Sequence, residues 1–69
     1  MRFRIQYLTE LADESSVCFT LDMVAPDSHE AEEFAWQHAL QAWGTYKANA
    51  LQIRNMDEGG KIVSCSRMV

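Results

Sequence analysis

The residues whose types and spacing could do chemistry lie in "HEAEE", residues 29–33. Two side chains four positions apart share one face of a helix, so His29 and Glu33 could both contact a metal ion. Their spacing matches the zinc-binding pattern H-E-x-x-H, except that Glu33 stands where the second histidine belongs. A catalytic zinc needs three protein ligands, and His38 would project to the opposite side of the same helix. We therefore expect no metal site, no cofactor and no catalytic site.

Other reactive side chains have no partner at a spacing that catalysis would use. His38 is flanked on the apolar side of the predicted helix by Phe34 and Ala42, which favours a partly buried, hydrogen-bonded histidine over a general base. The segment "EGGK", residues 58–61, is too short for a phosphate-binding loop and fits a hairpin turn. The chain is therefore interpreted as a protein that is not an enzyme.

Length and composition predict a small folded protein with one domain over residues 1–69. Hydrophobic residues make up 48% of the chain and charged residues 23%, which is ordinary globular usage. The net charge of −4 provides no overall attraction to nucleic acid. Cys18 and Cys65 lack C-x-x-C spacing, and we expect two buried free thiols. No apolar run is long enough for a signal peptide or a membrane span, which favours a cytoplasmic location.

Hydrophobic alternation predicts four strands, of which the first is the clearest. Phe3, Ile5 and Tyr7 alternate with polar residues within residues 1–9, the two-residue period of a strand with one buried face. The other strands carry the following residues: Val17, Phe19, Leu21 and Met23 in the second, Leu51 and Ile53 in the third, and residues 61–69 in the fourth. The register of the fourth strand stays open, with either of two pairs facing the core: Val63 and Cys65, or Ile62 and Ser64.

One helix is predicted between the second and third strands. Asp27 and Glu30 have the spacing of a capping box at its start. Gly44 is the residue type that most readily follows a last helical turn, so the helix should end near Trp43. The order is then ββαββ, an α+β fold with a four-stranded, mainly antiparallel sheet and one helix packed across one face.

The predicted helix carries more apolar surface than it needs for one sheet. Its apolar arc spans about 240°, whereas one packing face needs about 100°. Phe34 and Trp43 can serve as edges of the core on either side of four alanines, which would let the helix lie close to the sheet: Ala31, Ala35, Ala39 and Ala42. The surplus is either covered by a loop or exposed for a partner or a second copy of the chain. The residues predicted to bind a partner are Trp36, Leu40 and Trp43, with Glu33 and Gln37 as a polar rim.

The opposite face of the sheet offers an alternative function. Arg2, Arg4 and Arg54 should point away from the helix, where they could contact phosphates of a nucleic acid. The face lacks aromatic residues that stack on bases, because Phe3 and Tyr7 belong to the buried side. A solvated outer face would show the same pattern of charges.

In layout, the run from "MRFRIQYL" through "DSHEAEEFAWQHALQAWG" to "ALQIRNMDEGGKIVSC" resembles the small α+β proteins that phages and other mobile elements encode, such as anti-CRISPR proteins. The resemblance covers the whole chain and includes no diagnostic motif, so no family site residues carry over. It implies a non-enzymatic inhibitor that binds a host nucleoprotein complex stoichiometrically. A homodimeric structural or regulatory protein is a further alternative.

Overall fold

The computed structural model describes residues 1–68, which form an α+β fold with two helices and four strands. These are β1 (Arg2–Leu8), β2 (Val17–Val24), α1 (Ser28–Gln37), α2 (Ala39–Tyr46), β3 (Ala50–Asn55) and β4 (Lys61–Arg67). Short 3₁₀ turns over Glu14–Ser16 and Met56–Glu58 precede β2 and β4. Neither helix is long or apolar enough to cross a membrane.

The four strands form one antiparallel sheet in the order β2-β1-β3-β4, which confirms the predicted type of sheet. β1 lies between β2 and β3 and is antiparallel to both, so β2 and β3 run in the same direction. The chain must therefore cross β1 between these two strands. Both helices lie in this crossover, which places them over one face of the sheet.

The core lies between the helices and the central strands. Ile5 pairs with Leu21 on one side and with Ile53 on the other, so the alternating apolar side chains share a face. The fully buried side chains on this face are Phe3, Ile5, Tyr7, Leu51 and Ile53. The four predicted alanines of the helices are buried against them, as their small size requires for a close approach.

The last strand contains a β-bulge, which decides the register that the sequence left open. Ser64 pairs with Ile53 on the core side, whereas Ile62 pairs with Arg54 on the outer side. The register shifts between these pairs, with Val63 as the extra residue. In neither of the two predicted pairs do both side chains therefore face the core. Cys65 is exposed, and the prediction that this thiol is buried was wrong.

Cys18 lies on the other edge strand, β2, and is only half-buried. Its thiol donates a hydrogen bond to the Tyr7 carbonyl oxygen at 3.4 Å. The prediction of a fully buried thiol therefore does not hold at this position either.

The predicted single helix is broken at His38. This residue has φ −100° and ψ 0° and separates α1 from α2. Its ring nitrogen Nδ1 lies 3.1 Å from the Phe34 carbonyl oxygen, which in an unbroken helix would accept the His38 amide proton. The His38 amide donates instead to the Ala35 carbonyl, at 3.3 Å. The imidazole thus competes with the backbone amide for this carbonyl, and the helix is interrupted there.

The end of the second helix also differs from the prediction. α2 continues through Gly44 and Tyr46, and Lys47 takes the left-handed conformation at φ 60° and ψ 32°. The Lys47 amide donates to the Trp43 carbonyl at 3.1 Å, which provides a hydrogen bond for one of the carbonyl groups in the last helical turn. Helix termination is therefore set by backbone hydrogen bonding at a lysine, although glycine would adopt this conformation more easily.

Candidate partner-binding surface

Three large apolar side chains lie exposed along one stripe of the two helices. Trp36, Leu40 and Trp43 are 42%, 76% and 51% exposed, and their spacing is that of successive turns on one helix face. We call these three residues the indole patch. With Ala39 and Met68 they line an open depression of about 430 Å³. Met68 belongs to the described chain after Gly44 and contributes to this lining, but the three patch residues keep the exposure given above and are accessible to a partner.

The patch faces outward because the opposite side of each helix is anchored to the sheet. Ala35 is fully buried, and its carbonyl accepts a hydrogen bond from the Tyr7 hydroxyl. Burial raises the pKa of Tyr7 to about 12. At the end of α2, Tyr46 stacks on Phe19 with ring centroids 4.5 Å apart. These contacts fix both helices on the sheet and thereby orient the patch.

A polar depression adjoins the indole patch and shares Trp36 with it. This open depression has a volume of about 520 Å³ and is lined by His29, Glu32, Glu33, Trp36 and Gln37. Glu33 and Gln37 were predicted as rim residues, and the structure places them beside Trp36. Glu32 was missed, although its position four residues before Trp36 predicts that the two side chains are neighbours.

His29 and Glu33 meet as their spacing predicts, with His29 Nε2 3.1 Å from Glu33 Oε1. Both side chains are exposed to solvent. Among residues 1–68, no group of three histidine, cysteine, aspartate or glutamate side chains is arranged to hold a metal ion. This pair is therefore described as a surface contact between two helix neighbours.

On the outer face of the sheet, two of the predicted arginines are bound to aspartates. Arg4 donates to both carboxylate oxygens of Asp22, from Nε at 2.9 Å and from Nη2 at 3.3 Å. This hydrogen bonding lowers the pKa of Asp22 and raises the pKa of Arg4. Arg2 donates to Asp57 from its backbone amide at 3.0 Å and from Nε at 3.1 Å, which lowers the pKa of Asp57.

The third arginine, Arg54, lies beside Arg4 in the sheet and is engaged by three groups. Its Nε donates to Gln6 Oε1 at 2.9 Å, and its Nη1 donates to the Gly60 carbonyl at 2.8 Å. The remaining nitrogen, Nη2, forms an ion pair with Glu14, which the β1–β2 loop brings over the outer face. The structure thus brings the predicted basic residues to one face and compensates the charge of each with a carboxylate.

The helices carry negative charge that is not compensated in this way. Within residues 1–68, no lysine or arginine forms an ion pair with Glu30, Glu32 or Glu33. All three belong to α1, the helix that also supplies Trp36. This acidic surface, where Glu33 contacts His29 and no arginine or lysine takes part, is therefore adjacent to the indole patch.

Comparison of the chain with protein-family models, with curated proteins and with solved structures gave no match.

Proposed function

We propose that this protein acts without catalysis, by binding a protein partner stoichiometrically through the indole patch. The observation that carries this proposal is the exposure of Trp36, Leu40 and Trp43 on one continuous stripe. Tryptophan is enriched among the residues that dominate binding energies at interfaces. A contiguous apolar surface with a polar rim is typical of such sites.

The size of the patch supports the proposal. A tryptophan side chain offers up to about 250 Å² of surface, so the two partly exposed indoles together present about 230 Å². Leu40 adds to this area and brings the patch towards the 300–600 Å² that is roughly the size of the largest, often functional, patch on a monomer. Burying the indoles alone would contribute about 6 kcal/mol before the costs of association.

The biological role that we propose for this binding is inhibition of a host nucleoprotein complex, as in anti-CRISPR proteins. The support is the layout-level resemblance together with an exposed apolar surface on a small acidic chain. In this role the protein would occupy a surface that the complex needs, and inhibition would require one copy per site.

Binding of nucleic acid through Arg2, Arg4 and Arg54 is the less favoured function. Each of these guanidinium groups already contacts a carboxylate, and a phosphate would have to displace that partner. The protein would then lose favourable contacts as it gained new ones.

The test compares two equally exposed apolar residues on different surfaces. Leu40 is 76% exposed in the patch, and Val24 is 75% exposed at the end of β2, so Leu40→Asp and Val24→Asp are matched substitutions. Proteins captured from an extract of the source cells are compared for wild type and both variants, and each candidate is then purified and titrated by calorimetry. We expect a partner that binds wild type and Val24→Asp at one-to-one stoichiometry and is lost with Leu40→Asp.

The proposal would be contradicted if folded Leu40→Asp, verified by circular dichroism, retained every partner of the wild type. Sedimentation equilibrium provides a second control. A wild-type dimer that Leu40→Asp dissociates would assign the patch to self-association, the homodimer alternative.

A further inference from the structure

The stripe of helix surface that contains the indole patch, residues 29–43, is acidic in its first half and apolar in its second. Its first half carries Glu32 and Glu33, and its second half carries Leu40 and Trp43, with Trp36 lining both depressions. Residues 29–43 extend over at most about 22 Å, the length of an uninterrupted helix of this size. A ligand that covers both halves therefore meets carboxylates at one end and apolar side chains at the other.

The acidic half is suited to a cation. Glu32 and Glu33 have no lysine or arginine partner within residues 1–68, and Glu33 contacts the exposed imidazole of His29. The exposed indole of Trp36 lies beside both carboxylates. A guanidinium or ammonium group over an indole face is attracted by the ring, and neighbouring carboxylates add ion pairs. An acidic segment at this position would meet repulsion from the same carboxylates.

We propose that the partner presents a protein segment with an arginine or lysine next to an apolar anchor, and that it binds in one orientation. The cation lies over Trp36 beside Glu32 and Glu33, and the anchor enters the depression between Leu40 and Trp43. This inference rests on the proposed function and specifies the chemistry of the partner.

A second copy of the chain fits this surface less well. The indoles of two copies would together contribute roughly 460 Å², whereas a stable interface buries about 1,200–2,000 Å². A larger contact would have to extend beyond the stripe. A separate partner can contact the whole stripe, and it can place a cation at the carboxylates as well as an apolar side chain at the apolar half.

The experiment selects peptides of about 15 residues, the helical length of the stripe, from a displayed random library. Wild type, Leu40→Asp and the double variant Glu32→Gln/Glu33→Gln are immobilised in parallel. Peptides that bind wild type and not Leu40→Asp are synthesised, and their dissociation constants are measured by fluorescence anisotropy. Glu32→Gln and Glu33→Gln are also measured singly, and Glu30→Gln is the matched control for each single variant, because it removes one charge from α1 at a position outside the polar depression.

We expect the Leu40-dependent peptides to be enriched in arginine or lysine next to aliphatic or aromatic residues. Each glutamine substitution at position 32 or 33 should weaken their binding about two- to fivefold, the range of an exposed ion pair. Glu30→Gln should change it by less than about twofold, because Glu30 does not line the polar depression in which the cation is held.

Two results would overturn the inference and leave the proposed function standing. In the first, Leu40-dependent peptides are no more basic than the library. In the second, the double variant binds them as Glu30→Gln does. A selection that returns no Leu40-dependent peptide would count against the proposed function itself. A wild-type dimer that Leu40→Asp dissociates would overturn the inference by assigning the stripe to a second copy.

Discussion

The hydroxyl of Tyr7 provides the polar contact between the sheet and the helix that carries Trp36, and its removal tests the packing directly. Tyr7 has no exposed surface, and its hydroxyl donates to the Ala35 carbonyl. Tyr7→Phe removes this donor and keeps the ring. The Ala35 carbonyl still accepts the His38 amide, so we expect the free energy of unfolding to fall by only about 1 kcal/mol at neutral pH.

The same hydroxyl makes stability depend on pH in the alkaline range. Burial raises the pKa of Tyr7 in the folded protein to about 12, against about 10 in the unfolded chain. Below pH 10 both states keep the proton, and the stabilisation by Tyr7 is fully present. Between these values only the unfolded chain loses the proton, so stability falls as pH rises. The loss reaches about 1.4 kcal/mol at about pH 11 and about 2.7 kcal/mol above the folded pKa.

Urea unfolding, followed by circular dichroism at about pH 8 and about pH 11, measures this effect. Wild type should lose about 1.4 kcal/mol more than Tyr7→Phe between these conditions, so that the variant becomes slightly more stable than the wild type at about pH 11. Tyr46→Phe is the control, because Tyr46 is 39% exposed and makes no side-chain hydrogen bond within residues 1–68. Equal pH dependence in wild type and Tyr7→Phe would refute the reasoning, since Tyr7 would then ionise as easily in the folded protein as in the unfolded chain.

Three further predictions concern the helix end, the patch and the outer face. Gly44→Ala should raise the free energy of unfolding in urea by about 0.5–1 kcal/mol, because Gly44 lies inside α2 with open space at its Cβ. Lys47→Gly should raise it by the same amount, because Lys47 has φ 60°. A loss of stability in Gly44→Ala would instead place glycine at the helix end. Leu40→Asp should change stability by less than about 1 kcal/mol in the same assay, because the side chain is 76% exposed, and a larger loss would mean that Leu40 belongs to the core. Titration with labelled single- and double-stranded nucleic acid at about 50 mM salt should show no binding, because Asp22 holds Arg4. An affinity that falls with added salt would instead indicate phosphate contacts on the sheet.

Much of the local structure follows from neighbouring residues alone. The two-residue alternation of Phe3, Ile5 and Tyr7 predicted the buried face of β1, and the structure confirms it. Asp27 was predicted to cap the first helix, and its carboxylate accepts the Glu30 amide at 3.0 Å. Such features need only the period of a strand or the first turn of a helix, so a short segment contains the required information.

The candidate binding surface was predictable in part. Helical periodicity placed Trp36 and Leu40 outside the core seam, but it also allowed a loop to cover them. Whether a loop does so depends on contacts between distant segments. The β1–β2 loop instead lies over the outer face, where Glu14 meets Arg54, forty residues along the chain.

The sequence by itself determined the α+β class, the strand faces and the residues available for binding, because these depend on hydrophobic period and residue type. Only the tertiary structure decided the strand order, the bulge at Val63 and the break at His38. Strand order and the bulge depend on pairing between segments that are distant in the sequence, which periodicity does not specify. At His38 the imidazole and the backbone amide compete for one carbonyl, which periodicity does not show either. The ion pairs of the arginines were likewise decided by the folded chain, since their carboxylate partners come from other strands, turns and loops.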